Sequence, residues 1–287
     1  MNNKNNRRKY CGSFLLFMKG GSFLIPQKKK EGKYMKTNEF EYYNNLANWS
    51  FSEIKKTTEN YTNWVYEEQI KKYANENSKV LDLGTAAGEK VLKYFPECAE
   101  ILGTDFSNEM IKNANINLEK SGRKNISFRV MNNLEMDTPD NYYDIVTARH
   151  TITNKKQIYK TLKQGGILIL RGVDKLDCWN LKRLFNRGQA FYDKKPISLI
   201  DYEETLDAGF KDVELIPLHV IEYYETKEDL YALLLKVPIL DDFSEIENKE
   251  YERIPIEKDL FEKYVSENTT EKGIKLIRRY YGIIARK

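Results

Sequence analysis

The sequence predicts an α/β fold built on a doubly wound, mostly parallel sheet. Short apolar runs alternate with helix-like segments from Ser78 onward, and strands that alternate with helices form parallel sheets that are covered on both faces. A glycine-rich turn directly follows the first apolar run. The composition, with 41% hydrophobic and 31% charged residues among 287, is typical of one globular domain.

Seven segments have the pattern of strands. The first five are short and apolar, whereas the last two are longer. Because the parallel strands of such a sheet end at the same edge, a ligand is expected just beyond those ends, where the winding reverses. In chain order the predicted strands are Lys79–Leu83, Ile101–Asp105, Ile126–Val130, Tyr143–Ala148, Ile167–Leu170, Val213–Tyr224 and Lys275–Ala285.

The segments between these strands carry helix signals. Ser107 can cap one helix, Gly122 lies just beyond its end, and Pro96 ends an earlier helix. The predicted helices are Glu89–Phe95, Asn108–Lys120, Lys155–Leu162 and Lys227–Lys236.

An N-terminal region and two insertions surround this core within a domain of residues 35–287. Residues 38–76 are rich in aromatic side chains and are predicted to form helices, which either pack on the core or close over a ligand. The insertions, residues 172–198 and 225–272, are long for this architecture. Insertions at the ligand end of a sheet usually shape substrate access, so we expect a helical lid there.

Residues 1–34 form a basic extension with nine Lys or Arg residues and one acidic residue. The lack of a core pattern predicts disorder. AT-rich codons for residues 30–34 would contain a bacterial ribosome-binding sequence, so the native protein is predicted to begin at Met35. The alternative is a basic arm that recruits RNA or an anionic membrane surface.

The charge and composition of the remaining chain limit the classes of function that it can have. Of the 47 basic and 43 acidic residues, 38 and 42 lie in residues 35–287, and this balance does not support nucleic-acid binding. No segment approaches the roughly 20 apolar residues of a membrane-spanning helix. Three distant cysteines favour a reducing, cytoplasmic location, and two histidines without ligand spacing argue against a metal site. The oligomeric state stays open.

The turn after the first predicted strand is the most informative segment. It reads Asp82-Leu83-Gly84-Thr85-Ala86-Ala87-Gly88-Glu89, and its glycines let the backbone approach a ligand closely. A dinucleotide-binding fingerprint would need a small residue where Glu89 stands, and Asp82 would place a carboxylate beside a pyrophosphate. A ligand with a positive charge and an amino group suits that carboxylate better.

Asp105 ends the second predicted strand. A carboxylate at this position can accept hydrogen bonds from both hydroxyls of a ribose. A dehydrogenase would carry the same acid, and turn chemistry alone is a further alternative. Asp105 therefore supports a nucleoside ligand without identifying it.

Four motifs occur in the order and spacing of a known enzyme family. They resemble the successive motifs of class I methyltransferases that use S-adenosylmethionine (SAM), and most closely the broad small-molecule group called methyltransferase domain type eleven. The resemblance covers residues 78–210 and implies a seven-stranded Rossmann-like sheet whose last strand lies antiparallel beside the fifth. The motifs are Asp82-Leu83-Gly84-Thr85-Ala86-Ala87-Gly88, Gly103-Thr104-Asp105-Phe106-Ser107-Asn108-Glu109-Met110, Tyr142-Tyr143-Asp144-Ile145-Val146 and Leu162-Lys163-Gln164-Gly165-Gly166.

The resemblance implies a SAM site. Gly84, Thr85 and Gly88 would wrap the methionine part, and Asp105 would hold the ribose. Phe106 and Met110 would pack near the adenine, and Asn132 would replace an acid that contacts the adenine amino group. Ala86 stands where relatives commonly have glycine, and Gln164 where they commonly have proline. The remaining predicted cofactor residues are Asp82, Ala86, Asn133, Leu134, Ala148 and Arg149.

The segment after the fourth predicted strand reads Thr147-Ala148-Arg149-His150-Thr151. It lacks the proline-containing runs of the enzymes that methylate the amino groups or cytosine C5 of nucleic acids. His150 is the candidate general base, with a structural histidine as the alternative. The predicted function is in-line transfer of a methyl group from SAM to a small-molecule acceptor. An RNA or protein methyltransferase and a non-catalytic SAM- or nucleotide-binding protein are the alternatives.

Overall fold

The structure, a computed structural model, describes residues 36–37, 51, 53–242 and 251–287. The predicted basic extension, residues 1–34, lies outside the described residues, as do residues 38–50 of the predicted N-terminal helices. None of the helices in the described part of the chain combines the length and apolar character needed to cross a bilayer.

Strands and helices alternate through the middle of the chain. The strands are β1 (Lys36–Thr37), β2 (Lys56–Asn60), β3 (Lys79–Leu83), β4 (Glu100–Asp105), β5 (Ile126–Val130), β6 (Tyr143–Arg149), β7 (Leu162–Val173), β8 (Asp212–Tyr224), β9 (Tyr251–Glu252), β10 (Thr269–Thr270) and β11 (Gly273–Arg286). The helices are α1 (Tyr66–Tyr73), α2 (Glu89–Tyr94), α3 (Asn108–Ser121), α4 (Lys155–Thr161), α5 (Trp179–Phe185), α6 (Ile197–Asp207), α7 (Lys227–Lys236) and α8 (Lys258–Asn268).

The main sheet confirms the predicted doubly wound arrangement. Its order is β2-β8-β11-β7-β6-β3-β4-β5, and β10 pairs with β11. The seven predicted strands form the continuous path from β8 to β5, in which β11 is antiparallel to both β7 and β8. β3 to β7 run parallel to one another. β2 and β10 extend the sheet to nine strands.

Alternation along the strands buries both faces of this sheet. Consecutive residues of β3, Val80 and Leu81, are both fully buried and belong to different apolar clusters, because successive side chains of a strand point to opposite faces. The cluster around Val80 includes residues of α1, α2 and α3. The cluster around Leu81 includes residues of α4 and α6.

A third apolar cluster lies beyond the carboxyl end of the parallel strands. β7 ends at Val173, which pairs with Tyr280, but β8 and β11 continue as a pair as far as Tyr224 and Ile274. Helices α5, α7 and α8 pack on this extension. We call the extension and these three helices the cap.

A buried ionic network lies where the cap extends beyond the sheet. The guanidinium of Arg278 in β11 donates two hydrogen bonds of 2.9 Å to Asp177 and one of 3.1 Å to Glu222 in β8. Lys56 of β2 also contacts Glu222. The side chains of Arg278, Asp177 and Glu222 are each less than 8% exposed. Burial opposes ionisation of Glu222, but Arg278 and Lys56 outweigh it and lower its pKa to about 2.

The predicted N-terminal helices are wrong in part. Lys56–Asn60 is a strand that pairs antiparallel with β8 from Tyr224 to Val220, and within residues 53–76 the helix is limited to Tyr66–Tyr73. Thr57 and Thr58 are β-branched, and the open edge of the long strand β8 supplies hydrogen-bond partners. The local sequence does not show that edge, so tertiary pairing decided the structure.

Candidate functional site

The turn after β3 crosses the end of β4 in left-handed backbone conformations. Gly84, Ala86 and Gly88 have φ values of +73°, +55° and +76°. The backbone N–H groups of Gly84 and Thr85 both donate to the carbonyl of Thr104, at 2.8 Å. The left-handed conformation costs an L-residue roughly 1–2 kcal/mol, so Ala86 occupies a position that glycine would adopt more readily.

The two predicted glycines clear space for different neighbours. A Cβ at Gly84 would stand 2.7 Å from Cβ of Thr151, in the segment after β6, and one at Gly88 would stand 2.6 Å from the ring of Phe128 in β5. Gly84 thus brings the turn against the end of β6. Gly88 makes room for a core ring, so packing accounts for this glycine, and its contact with a ligand stays a prediction.

Asp105 joins the turn to the end of β4. Its carboxylate is 1% exposed and accepts the backbone N–H of Ala86 at 3.1 Å and that of Ser107 at 3.0 Å. Burial raises the pKa of Asp105 to about 6, although these N–H bonds oppose the rise. Each carboxylate oxygen can accept a second hydrogen bond, so the group can hold a ligand as well as the turn.

Asp82 lies on the α1 face of the sheet. It is buried and accepts a 2.6 Å hydrogen bond from the hydroxyl of Thr147 in β6. Burial raises its pKa to about 6 against that bond. The hydroxyl of Tyr66, at the start of α1, is buried near both groups and makes no hydrogen bond of good geometry to the described residues. Tyr66 lies in the aromatic-rich region 38–76, to which sequence analysis assigned no individual site residue.

The segment after β5 places its two predicted asparagines in different surroundings. Asn132, the predicted contact to adenine, is exposed, and its Oδ1 accepts the N–H of Leu134 at 2.9 Å. Asn133 is 7% exposed and donates from Nδ2 to Thr151 at 2.9 Å. Its Oδ1 is buried without a hydrogen-bond partner among the described residues. Such an acceptor costs free energy unless a donor satisfies it.

His150 follows β6 with φ +52°. Its Nε2 accepts a hydrogen bond from Nη1 of Arg171, and its ring stacks on Tyr280 with centroids 5.5 Å apart and an interplanar angle of 12°. Burial, followed by the charges of Arg171 and Arg149, lowers the pKa of His150 well below its usual 6.5. The imidazole is therefore neutral at physiological pH, with one nitrogen engaged by a guanidinium.

The other predicted site residues divide into two groups. Phe106 and Leu134 are half-buried beside the turn and the β5 end, and the N–H of Met110 donates to the capping hydroxyl of Ser107 at 3.3 Å. Ala148 is fully buried in the apolar cluster on the opposite face from Asp82. Its methyl group is part of the core, so only its backbone can meet a ligand.

Comparison with known proteins identifies the family. A family model described as a methyltransferase domain matches residues 74–232, more than half of the chain. The uncharacterized methyltransferase YcgJ of Bacillus subtilis is 28% identical over 99 residues, which cover 32% of this chain and 39% of that protein. The ubiquinone/menaquinone biosynthesis C-methyltransferase UbiE of Rickettsia akari is 24% identical over 176 residues, 58% of this chain and 71% of that protein.

Two solved structures share the fold. The crystal structure of YcgJ superposes with a TM-score of 0.51 and 15% identity, over 77% of this chain and 97% of that one. A functionally unknown protein from Deinococcus radiodurans R1 gives 0.54 and 13%, over 81% and 91%. Together with the family match and the strand order, these findings show that the chain belongs to the methyltransferase domain family and has the fold of the class I SAM-dependent enzymes.

Proposed function

We propose that this chain transfers the methyl group of SAM to a small-molecule acceptor. The observation that carries the proposal is the set of buried hydrogen-bond acceptors around the glycine turn: the carboxylates of Asp82 and Asp105 and the amide oxygen of Asn133. SAM offers a matching set of groups, namely a sulfonium, an amino group, two ribose hydroxyls and the adenine amino group. A pyrophosphate would meet repulsion from both carboxylates.

In this proposal, each of these residues would bind a different part of the cofactor. Asp105 would accept the ribose hydroxyls, Asn133 the adenine amino group, and Asp82 would favour the positively charged end. Gly84 and Thr85 would lie along the methionine part. When bound, SAM supplies a methyl group on a sulfonium leaving group. The chain's own task is to hold the acceptor in line and to exclude water.

The position of the cap and the charge balance of the chain support a small-molecule acceptor. The cap stands beyond the carboxyl ends of the parallel strands, where the predicted insertions 172–198 and 225–272 contribute α5, α7 and α8. We propose that the cap shapes access for the acceptor. The balance of charge in residues 35–287 does not favour a polyanion such as RNA. We also propose a cytoplasmic location, in keeping with the free, buried thiols of Cys98 and Cys178.

Methyl transfer from tritiated SAM to RNA, protein and metabolite fractions of a cell extract tests the proposal. We expect label in the metabolite fraction. Label only in RNA or protein would replace the proposed acceptor class, and titration with SAM, S-adenosylhomocysteine and NAD would reveal a nucleotide-binding protein. A folded chain that binds none of these three ligands would contradict the proposal as a whole.

Replacing Asn133 by alanine should weaken binding of S-adenosylhomocysteine by roughly 1–2 kcal/mol, because the buried acceptor is lost. Asn133→Asp should bind more tightly than Asn133→Ala, since it keeps an acceptor oxygen. Asn132→Ala is the matched control, and it should change the affinity by less than about 0.5 kcal/mol because its side chain is exposed. Calorimetric titration measures all three. A loss of affinity confined to Asn132→Ala would assign the adenine contact to Asn132 instead.

Cofactor affinity should fall as the pH is lowered through about 6. The pKa values of Asp82 and Asp105 are raised to about 6, and a ligand that donates hydrogen bonds or positive charge binds the ionised form. For the free protein the sign is the reverse: the contribution of these raised pKa values to folding stability is present below about 4 and lost as the pH rises through about 6. Titration of S-adenosylhomocysteine from about pH 5 to about pH 8 measures the change. A flat profile would mean that neither carboxylate contacts the ligand.

His150→Gln separates two roles of this residue. A general base predicts a loss of about 100-fold or more in turnover with unchanged affinity for S-adenosylhomocysteine. We expect a smaller loss, because Nε2 is engaged by Arg171 and a glutamine oxygen can accept the same hydrogen bond. Single-turnover methyl transfer to the labelled metabolite fraction measures the difference. A loss of the larger size would establish the base.

A further inference from the structure

Two arginines stand side by side at the carboxyl ends of β6 and β7. Arg149 and Arg171 are direct partners in the parallel register of these strands, and neighbouring strands lie only about 5 Å apart. Both side chains leave the sheet on the face that carries α1, since they alternate with the core residues Ala148 and Leu170 of the other face. This position is next to His150 and to the segment that brings Thr151 against Gly84.

The acidic groups on this face leave Arg149 weakly paired. Glu67 of α1 lies 3.7 Å from Nη1 of Arg149 and 3.8 Å from Nζ of Lys90, so one carboxylate faces two cations beyond hydrogen-bond distance. Nε of Arg149 is buried without a hydrogen-bond partner among the described residues. Asp82, another carboxylate on this face, is engaged by Thr147.

Arg171 has no acidic partner within ion-pair distance in the described part of the chain. Its contacts are Nε2 of neutral His150 and the ring of Tyr280, whose centroid lies 4.0 Å from the guanidinium carbon. Burial, then the charge of Arg149, lowers its pKa to about 10. Arg278 of the same region shows the contrast, because two carboxylates satisfy it.

We propose that Arg149 and Arg171 bind an anionic group, a carboxylate or a phosphate, on the methyl acceptor. Arginine forks bind both groups with paired, charge-assisted hydrogen bonds, and the ends of β6 and β7 lie beside the turn assigned to the methionine part of SAM. The inference rests on the proposed function and adds the chemical class of the acceptor. In it, His150 and Tyr280 position the guanidinium of Arg171.

Anion-exchange separation of the metabolite fraction is the first test. We expect label from tritiated SAM in the retained, anionic metabolites, and phosphatase treatment beforehand distinguishes a phosphate from a carboxylate. Arg171→Met should lower this transfer by about 100-fold, and Arg171→Lys, which keeps the charge without the fork, by less. Arg286→Met changes an exposed arginine at the opposite end of β11 and should leave transfer within about twofold. Label confined to unretained metabolites would overturn the inference.

A second measurement excludes the carboxylate of SAM itself as the anion. S-adenosylhomocysteine carries that carboxylate, whereas 5′-methylthioadenosine lacks it. If the arginines serve the acceptor, Arg149→Met and Arg171→Met should bind both nucleosides as the unchanged protein does. Weaker binding of S-adenosylhomocysteine alone would assign the arginines to the cofactor and overturn the inference.

If no fraction accepts a methyl group, the transfer assay gives the proposed function no support, and anion binding tests the arginine pair separately. The protein loaded with S-adenosylhomocysteine is then titrated with inorganic phosphate and with malonate. We expect saturable binding of at least one anion that Arg171→Met weakens about tenfold and Arg286→Met does not. Equal binding by both variants would overturn the inference.

Discussion

Gly84→Val should abolish measurable binding of SAM and S-adenosylhomocysteine, a loss of at least about 100-fold or roughly 2.7 kcal/mol. Gly84 has φ +73°, and a side chain there would stand 2.7 Å from Thr151. A β-branched residue is an outlier at positive φ, so the turn and the end of β6 must both move. The hydrogen bonds from the turn to Thr104 and Asp105 would then be displaced with it.

Gly122→Val is the matched control for this change. Gly122 ends α3 with φ +69°, and a Cβ there would meet nothing within 4 Å. Both variants carry the backbone strain of roughly 1–2 kcal/mol, but only Gly84→Val adds a collision at the proposed site. We expect Gly122→Val to lose stability and keep its ligand affinity. Calorimetry on folded protein decides, and retained binding by Gly84→Val would show that the turn does not hold the cofactor.

Arg278→Met should lower the free energy of unfolding by about 3–5 kcal/mol. The change leaves Asp177 and Glu222 buried without their shared counter-ion, and breaking a buried ion pair from one side costs this much. Arg286→Met, on the exposed end of the same strand, should cost less than about 0.5 kcal/mol. Urea denaturation of both variants measures the difference. A cost below about 1 kcal/mol for Arg278→Met would mean that water or movement satisfies the two carboxylates.

The contribution of the same network to the free energy of unfolding depends on pH. The pKa of Glu222 is lowered to about 2, so the stability that it contributes is present above its unfolded value, about 4.5, and is lost as the pH falls towards 2. Arg278→Met loses the part of that contribution that comes from Arg278, while Lys56 still faces Glu222. The two unfolding free energies should therefore converge as the pH is lowered through this range.

The sequence predicts the sheet well because its signals are local. Ser107 and Gly122 mark the ends of α3 by their own chemistry, and the structure confirms the cap on Met110 and the left-handed glycine. The short apolar strands β3 to β6 are likewise found within one or two residues of their predicted bounds. Each of these features depends on residues adjacent in the chain.

The features that sequence analysis missed depend on partners far along the chain. β2 forms because β8 offers an edge more than 150 residues away. Asn132 and Asn133 are the same residue type, and only the fold shows which amide is buried beside Thr151. Arg171 had no motif of its own, and it becomes a candidate through its register with Arg149 on the neighbouring strand.

The unbroken passage of β8 and β11 from the sheet into the cap has a mechanical consequence. The ladder runs without interruption from Arg286 paired with Asp212 to Ile274 paired with Tyr224, so these two strands join the sheet to the cap without an intervening loop. A rigid-body swing of the cap would have to break backbone hydrogen bonds in the middle of this ribbon. If the cap controls access as proposed, we expect an acceptor to enter by rearrangement of helices and side chains over a fixed strand pair, unlike enzymes whose domains close about flexible linkers.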